Sequence, residues 1–203
     1  MSAHVREPVT TIASHYVVIP ADNIDTDQII PARFLKTTGS AGLGPHAFHD
    51  WRYASDGSSN PAFPLNAASA AGASILVTGR NFGCGSSREH AVWALLDAGI
   101  RAVISSAFAD IFRGNALGNG LVPVQLPPEL VAALMTGAAG TITIDVPAQS
   151  VVLPGNRTAH FDLPPFAKHC LVNGLDELGF LLEASDDIAT YERSRRPAPQ
   201  VTG

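Results

Sequence analysis

Residues 81–90 read Asn81-Phe82-Gly83-Cys84-Gly85-Ser86-Ser87-Arg88-Glu89-His90, a glycine-serine loop opening onto a helical pattern. Gly83 and Gly85 let the backbone turn tightly and approach a ligand, while the unpaired N–H groups of a helix's first turn face whatever sits there. The helix dipole favours negative charge at that end, and the planar guanidinium of Arg88 matches a carboxylate. The chemistry this pattern offers is the capture of a small anion. Ser86-Ser87-Arg88-Glu89 also satisfies a capping box, with Ser86 at the cap and Glu89 reaching back. That structural reading accounts for Ser86 and Glu89 but not for Arg88, whose charge in a first helical turn opposes the dipole.

Other motif readings fail on spacing. Gly83-Cys84-Gly85-Ser86-Ser87-Arg88 begins like a dinucleotide-binding loop but carries Arg where the third glycine belongs. A Walker loop needs a Gly-Lys pair, and a nucleophile elbow needs serine where Gly85 stands. Cys84 near a helix start could be an activated thiol, although a small loop residue is the commoner role. Asn23-Ile24-Asp25-Thr26-Asp27-Gln28 clusters carboxylates but lacks the glycine and terminal glutamate of a calcium loop, so it reads as an Asx-type turn capping the next segment. His46 and His49 have metal-ligand spacing without a third ligand in register, and read as ordinary loop histidines. His169 beside Cys170 reads as a core or interface pair.

The elements that must hold the loop follow from periodicity. Strand 74–78, loop 79–85, helix 87–98 stopped by Gly99, and strand 101–104 form a βαβ unit with a right-handed crossover. A strand at 16–19 precedes it, and a helix at 107–115, a short strand at 121–124 and a helix at 128–135 follow. Residues 141–146 alternate with period two, and strands 151–153 and 158–163 flank Pro154-Gly155-Asn156 as a hairpin. Short helices are expected around 166–172, 176–183 and 186–193. The stretch 37–64 is rich in Gly, Ser, His, Asp and Pro and reads as a long loop or flap. The mixture of strand directions indicates an α/β fold with a β-hairpin layer. We expect one domain over 1–196 and a disordered tail at 197–203.

The 203 residues are 46% hydrophobic, enough for a real core, but only 15% charged, against roughly 25% in an average soluble domain. Either a partner covers part of the surface, or the abundance of Ala and Gly dilutes the charge. A net charge of −5, with one basic cluster at Arg193-Ser194-Arg195-Arg196, argues against nucleic acid or an anionic membrane as partner. No apolar run approaches a membrane span or signal segment, and a cytoplasmic location is expected. Two cysteines, Cys84 and Cys170, suit a reducing compartment and cannot alone supply the thiolates of an iron-sulfur cluster.

The segments 23–31 (Asn23-Ile24-Asp25-Thr26-Asp27-Gln28-Ile29-Ile30-Pro31), 82–90 and 108–112 (Phe108-Ala109-Asp110-Ile111-Phe112), in that order, resemble the small subunits of 3-isopropylmalate dehydratase, in the aconitase superfamily. The similarity spans about 16–191. It implies a swivelling β/β/α domain that closes over a large subunit carrying a four-iron four-sulfur cluster, with no cofactor or metal held by this chain alone. The implied reaction removes and re-adds water, interconverting 2-isopropylmalate and 3-isopropylmalate through isopropylmaleate in leucine biosynthesis. By its place in the Gly-Ser-Ser-Arg motif, Ser86 would be the base and Arg88 the carboxylate clamp. Gly85 and Ser87 would contact substrate, while Asp25, Thr26, Asp27, Gly83, Glu89 and His90 would support the site. Phe34 and Leu35 stand where aconitase uses a further arginine, and are expected to face the isopropyl group. Relatives acting on homoaconitate or methylmalate share the main motifs. The alternatives are thus another hydro-lyase of this group, a non-catalytic dicarboxylate-binding module, or a carrier domain with a phosphohistidine at His90, which would need His90 exposed.

Overall fold

The computed structural model describes residues 6–36 and 39–194. Arg195, Arg196, the tail expected at 197–203 and the first residues of the expected flap, 37–38, lie outside the described residues.

The elements run β1 (Thr11–Ile19), α1 (Thr26–Ile29), α2 (His49–Arg52), β2 (Ile75–Thr78), α3 (Glu89–Asp97), β3 (Ala102–Ser105), α4 (Asp110–Asn119), β4 (Val122–Gln125), α5 (Pro128–Thr136), β5 (Thr141–Asp145), β6 (Ser150–Leu153), β7 (Arg157–His160), α6 (Pro165–Asn173), α7 (Glu177–Glu183) and α8 (Ser185–Ser194). The strands form one sheet in the order β4-β3-β2-β1-β5-β6-β7. β1 joins its two halves. Tyr16 to Ile19 pair in parallel with Ile75 to Thr78, whereas Thr11 to His15 pair antiparallel with β5. β2, β3 and β4 continue the parallel half, and β5, β6 and β7 make the antiparallel layer. This is the expected mixed α/β architecture.

Side chains of the parallel half alternate between two cores, as a period of two requires. Leu76 and Val103 point into the core shared with α3 and α4, while Ile75, Val77, Ala102 and Ile104 enter the core on the opposite side. Both faces are covered, which is why β2 and β3 are buried at every position.

Several boundaries differ from the expected ones. β1 begins at Thr11 because its first half finds its partner in β5, far along the chain, with Ser14 opposite Ile142. α4 runs on to Asn119 and stops at Gly120, which takes the left-handed conformation with φ 87°. Gly114 and Gly118 lie inside the helix, where their cost is outweighed by the packing of Phe112, Ala116 and Leu117.

The expected flap is irregular but not free. Leu43, Ala47, Phe48 and Phe63 are buried in the α3-side core, and burying one such phenylalanine is worth roughly 1.5–3 kcal/mol. The Phe48 N–H donates to the Ile29 carbonyl at 2.8 Å. The Gly44 N–H donates to the Asp97 carboxylate at 2.6 Å, and a Cβ at Gly44 would fall 2.6 Å from the Asp97 carbonyl carbon. The described part of 37–64 is therefore a fixed wall against α3.

Candidate active site

Three loops leave the C-terminal ends of β1, β2 and β3, where parallel sheets present their ligand-binding edge. They are stitched together by backbone. The Gly83 N–H donates to the Ile24 carbonyl at 2.8 Å, Thr26 N–H to the Cys84 carbonyl at 2.9 Å, Phe82 N–H to the Ala107 carbonyl at 3.1 Å and Ala109 N–H to the Phe82 carbonyl at 3.0 Å. Bridges pair Asp25 with Cys84 and Phe82 with Phe108. The three motifs that carry the family resemblance are thus one assembly. Asp25 caps α1 in a capping box with Gln28: its carboxylate accepts the Gln28 N–H at 2.8 Å, and Gln28 Oε1 accepts the Asp25 N–H at 2.9 Å. The turn reading of this acidic cluster holds.

Gly83 is required twice. Its φ of +77° disfavours any side chain, and a Cβ there would fall 2.1 Å from Cγ of Phe112. Gly85, at φ +89°, brings its backbone against Asp25, whose Cβ would lie 3.3 Å from an added methyl. Buried Thr26 donates its hydroxyl to the Ser86 carbonyl at 2.8 Å. That bond and the Cys84 bridge hold 84–86 against α1 and outside any helix.

The consequence corrects three expectations. α3 starts at Glu89, not Ser87, and Arg88 occupies the cap position with φ −142° and ψ 112° and no side-chain cap. The capping box between Ser86 and Glu89 does not form; Glu89 instead accepts from Asn119 Nδ2 at 2.7 Å, tying α3 to α4. Arg88 is not in the helical turn, and its counter-charge is inside the chain, because the guanidinium pairs with Asp27. That pairing lowers the Asp27 pKa, chiefly through the hydrogen bond from Arg88. The positive charge at this helix end therefore does not by itself demand an external anion.

Thr26, Gly83, Gly85, Ser86, Ser87, Arg88 and residues 109–112 line a pocket of about 260 Å³. The Ser86 hydroxyl is exposed and has no hydrogen-bond partner among the described residues. Residues 109–112, expected as part of a helix and of the resemblance but not as site residues, also line it, with Ile111 57% exposed and Phe112 buried. Cys84 donates to the Asn23 carbonyl at 3.3 Å, and burial followed by the Asp25 charge raises its pKa, the reverse of an activated thiol. His90 is half-buried, its ring 4.8 Å from that of Trp93, which leaves it poorly placed as a phosphate carrier.

Phe34 and Leu35 are not brought to this pocket. Both pack against the α3-side core. Phe34 stacks on His46 at 4.0 Å and 9°, and the Arg33 guanidinium lies 4.7 Å from its ring. Burial first, then the charges of His49 and Arg33, lowers the His46 pKa. The segment nonetheless follows directly on α1, whose Asp27 pairs with Arg88. His169 and Cys170 serve structure: Cys170 is buried and the His169 ring meets Phe180 edge-on at 5.6 Å. Among the described residues no group of three or more His, Cys, Asp or Glu could hold a metal ion, and no helix is long and apolar enough to cross a membrane.

The loop assembly and sheet are those of a known class. A family model of the aconitase C-terminal domain matches residues 7–129, more than half of the chain, so the chain belongs to that family. Within it, the "3-isopropylmalate dehydratase small subunit" of Anaeromyxobacter dehalogenans (strain 2CP-C) is 60% identical over 190 residues, covering 94% of this chain and all of that protein. The protein of the same name from Chloroflexus aggregans is 54% identical over 200 residues, covering 97% and 98%. A crystal structure of 3-isopropylmalate dehydratase from Methanocaldococcus jannaschii superposes with TM-score 0.66 at 28% identity, over 89% of this chain and 99% of that one. The chain stands among the 3-isopropylmalate dehydratase small subunits of this family.

Proposed function

We propose that this chain is the small, substrate-closing subunit of a 3-isopropylmalate dehydratase, a hydro-lyase working in the cytoplasm in leucine biosynthesis and active only with a large subunit. The observation that carries this reading is the pocket in which the unpartnered Ser86 hydroxyl and the Arg88 guanidinium share one wall with Gly85 and Ser87. The near full-length identity to proteins of that name supports it.

In this reading Arg88 grips one carboxylate of the dicarboxylate substrate by its planar fork. Asp27 holds the guanidinium in place from the side. Ser86 takes the proton from the carbon α to a carboxylate, the hydroxyl departs from the neighbouring carbon, and water returns with the two positions exchanged. Serine is a poor base in water, and it needs a dry, donor-rich setting to hold negative charge. Closure against the large subunit supplies the first condition, since here Ser86 is exposed.

A four-iron four-sulfur cluster on the large subunit would act as Lewis acid for the departing hydroxyl. This chain's two cysteines stand on separate elements, Cys84 in the loop after β2 and Cys170 in α6, so its own donor set does not fit such a cluster. Phe34 and Leu35 remain our proposal for reading the substrate's side chain, from the segment that follows α1 and its Asp27. The test is to co-purify the chain with a cluster-bearing large subunit and follow the isopropylmaleate double bond optically, with each subunit alone as control. Turnover by this chain alone would refute the shared site.

A further inference from the structure

A second cavity opens on the same sheet edge, beyond β3 and β4, with a volume of about 490 Å³ and a wall that includes Ser106, Arg113, Gln125, His160 and Asp162. Its polar side chains are largely unspent. Among the described residues the Ser106 hydroxyl, the Gln125 amide and the His160 ring have no hydrogen-bond partner. Arg113 gives one N–H to the Asp162 carbonyl at 2.9 Å. Its Nε–H is buried without an acceptor. An unsatisfied buried donor of this kind is uncommon in folded proteins and calls for an explanation. No carboxylate pairs with Arg113 among the described ion pairs, and Asp162 is the one acidic side chain on the wall.

We infer that this cavity is a binding site for a phosphate-type oxyanion. Arg113, Ser106 and Gln125 offer donors to its oxygens, as the His160 ring does through one nitrogen. A guanidinium turning toward such an anion relieves its unpaired Nε–H. The Asp162 carboxylate selects among anions, because a protonated phosphate oxygen can donate to it whereas fully ionised sulfate is repelled. The site is separate from the pocket of Ser86 and Arg88, but α4 belongs to both: residues 110–112 face the first and Arg113 the second. The inference does not depend on the proposed activity.

The test titrates the full chain with inorganic phosphate, and separately with sulfate at matched ionic strength, by calorimetry and by NMR of the His160 ring protons. Saturable phosphate binding is expected with Kd on the order of 1 mM, weakened roughly tenfold by Arg113→Gln. Because Arg113 also tethers the 162 loop, His160→Gln serves as a second, exposed variant and should weaken binding roughly threefold. Sulfate should bind several-fold more weakly than phosphate. Absence of saturation, equal affinity in the Arg113 and His160 variants, or loss of binding in Arg88→Gln instead would overturn the assignment.

Discussion

Gly83→Ala is the change that most directly probes how the loop is built. The residue sits at φ +77° with Cγ of Phe112 only 2.1 Å from a would-be Cβ. Left-handed backbone costs alanine about 1–2 kcal/mol. Phe112 must also move, and it is buried and edge-on to Phe82 at 5.1 Å, so overpacking adds about 1–3 kcal/mol. A total near 3 kcal/mol corresponds to a fall in Tm of roughly 6–12 °C for a chain of this size. Gly57→Ala isolates the first contribution, since φ there is +82° with nothing within 4 Å of the added methyl; its Tm should fall by only about 3–6 °C, half as much. Urea and thermal unfolding of the two variants give the comparison, and turnover of the reconstituted complex gives the functional half. Gly83→Ala should lose most activity even at temperatures where it is folded, because residues 84–88 follow the glycine into the pocket. Equal stability losses in the two variants, or full activity in Gly83→Ala, would refute the packing argument.

Arg88→Lys keeps the charge but loses the bidentate fork, so turnover of the complex should drop by more than tenfold with little change in Tm, and near-normal kinetics would remove Arg88 from the site. Asp27 has a lowered pKa, so its pairing with Arg88 contributes fully above the ordinary carboxylate value of 3.8 and is lost only as pH falls through the lower folded value. Carboxylate NMR titration should show the Asp27 midpoint returning toward 3.8 in Arg88→Gln; an unmoved midpoint contradicts the pairing. Cys84, with its pKa raised, should alkylate slowly at pH 8, and Cys84→Ser should keep turnover within a few-fold, whereas rapid alkylation and loss of turnover would make it a participant. Phe34→Arg or Leu35→Arg should shift the complex toward substrates with a carboxylated side chain, and unchanged selectivity in competition assays would end that role.

Much of this protein was legible as a string. The short apolar runs at 75–77 and 102–104, with Gly99 between helix and strand, sufficed for the parallel half, because such runs and stop signals act within a few residues. The hairpin around Gly155 and Asn156, both at positive φ, was legible for the same reason. Asp25 was readable as a cap, since both partners of its box lie three residues apart. The Gly-Ser-Ser-Arg motif marked the pocket. What no local pattern held was decided at long range. The start of α3 moved to Glu89 because Thr26, 60 residues earlier, binds the Ser86 carbonyl. The charge of Arg88 found its answer in Asp27, 61 residues away, and the first half of β1 exists through its pairing with β5. The composition of 37–64 suggested looseness because turn-forming residues are counted without regard to where Leu43, Phe48 and Phe63 go, and only the folded chain shows them buried against α3. Sequence determines which groups are available and which short segments are regular; which distant group satisfies each carbonyl, charge and apolar face depends on three-dimensional packing, and that choice set the geometry of the pocket.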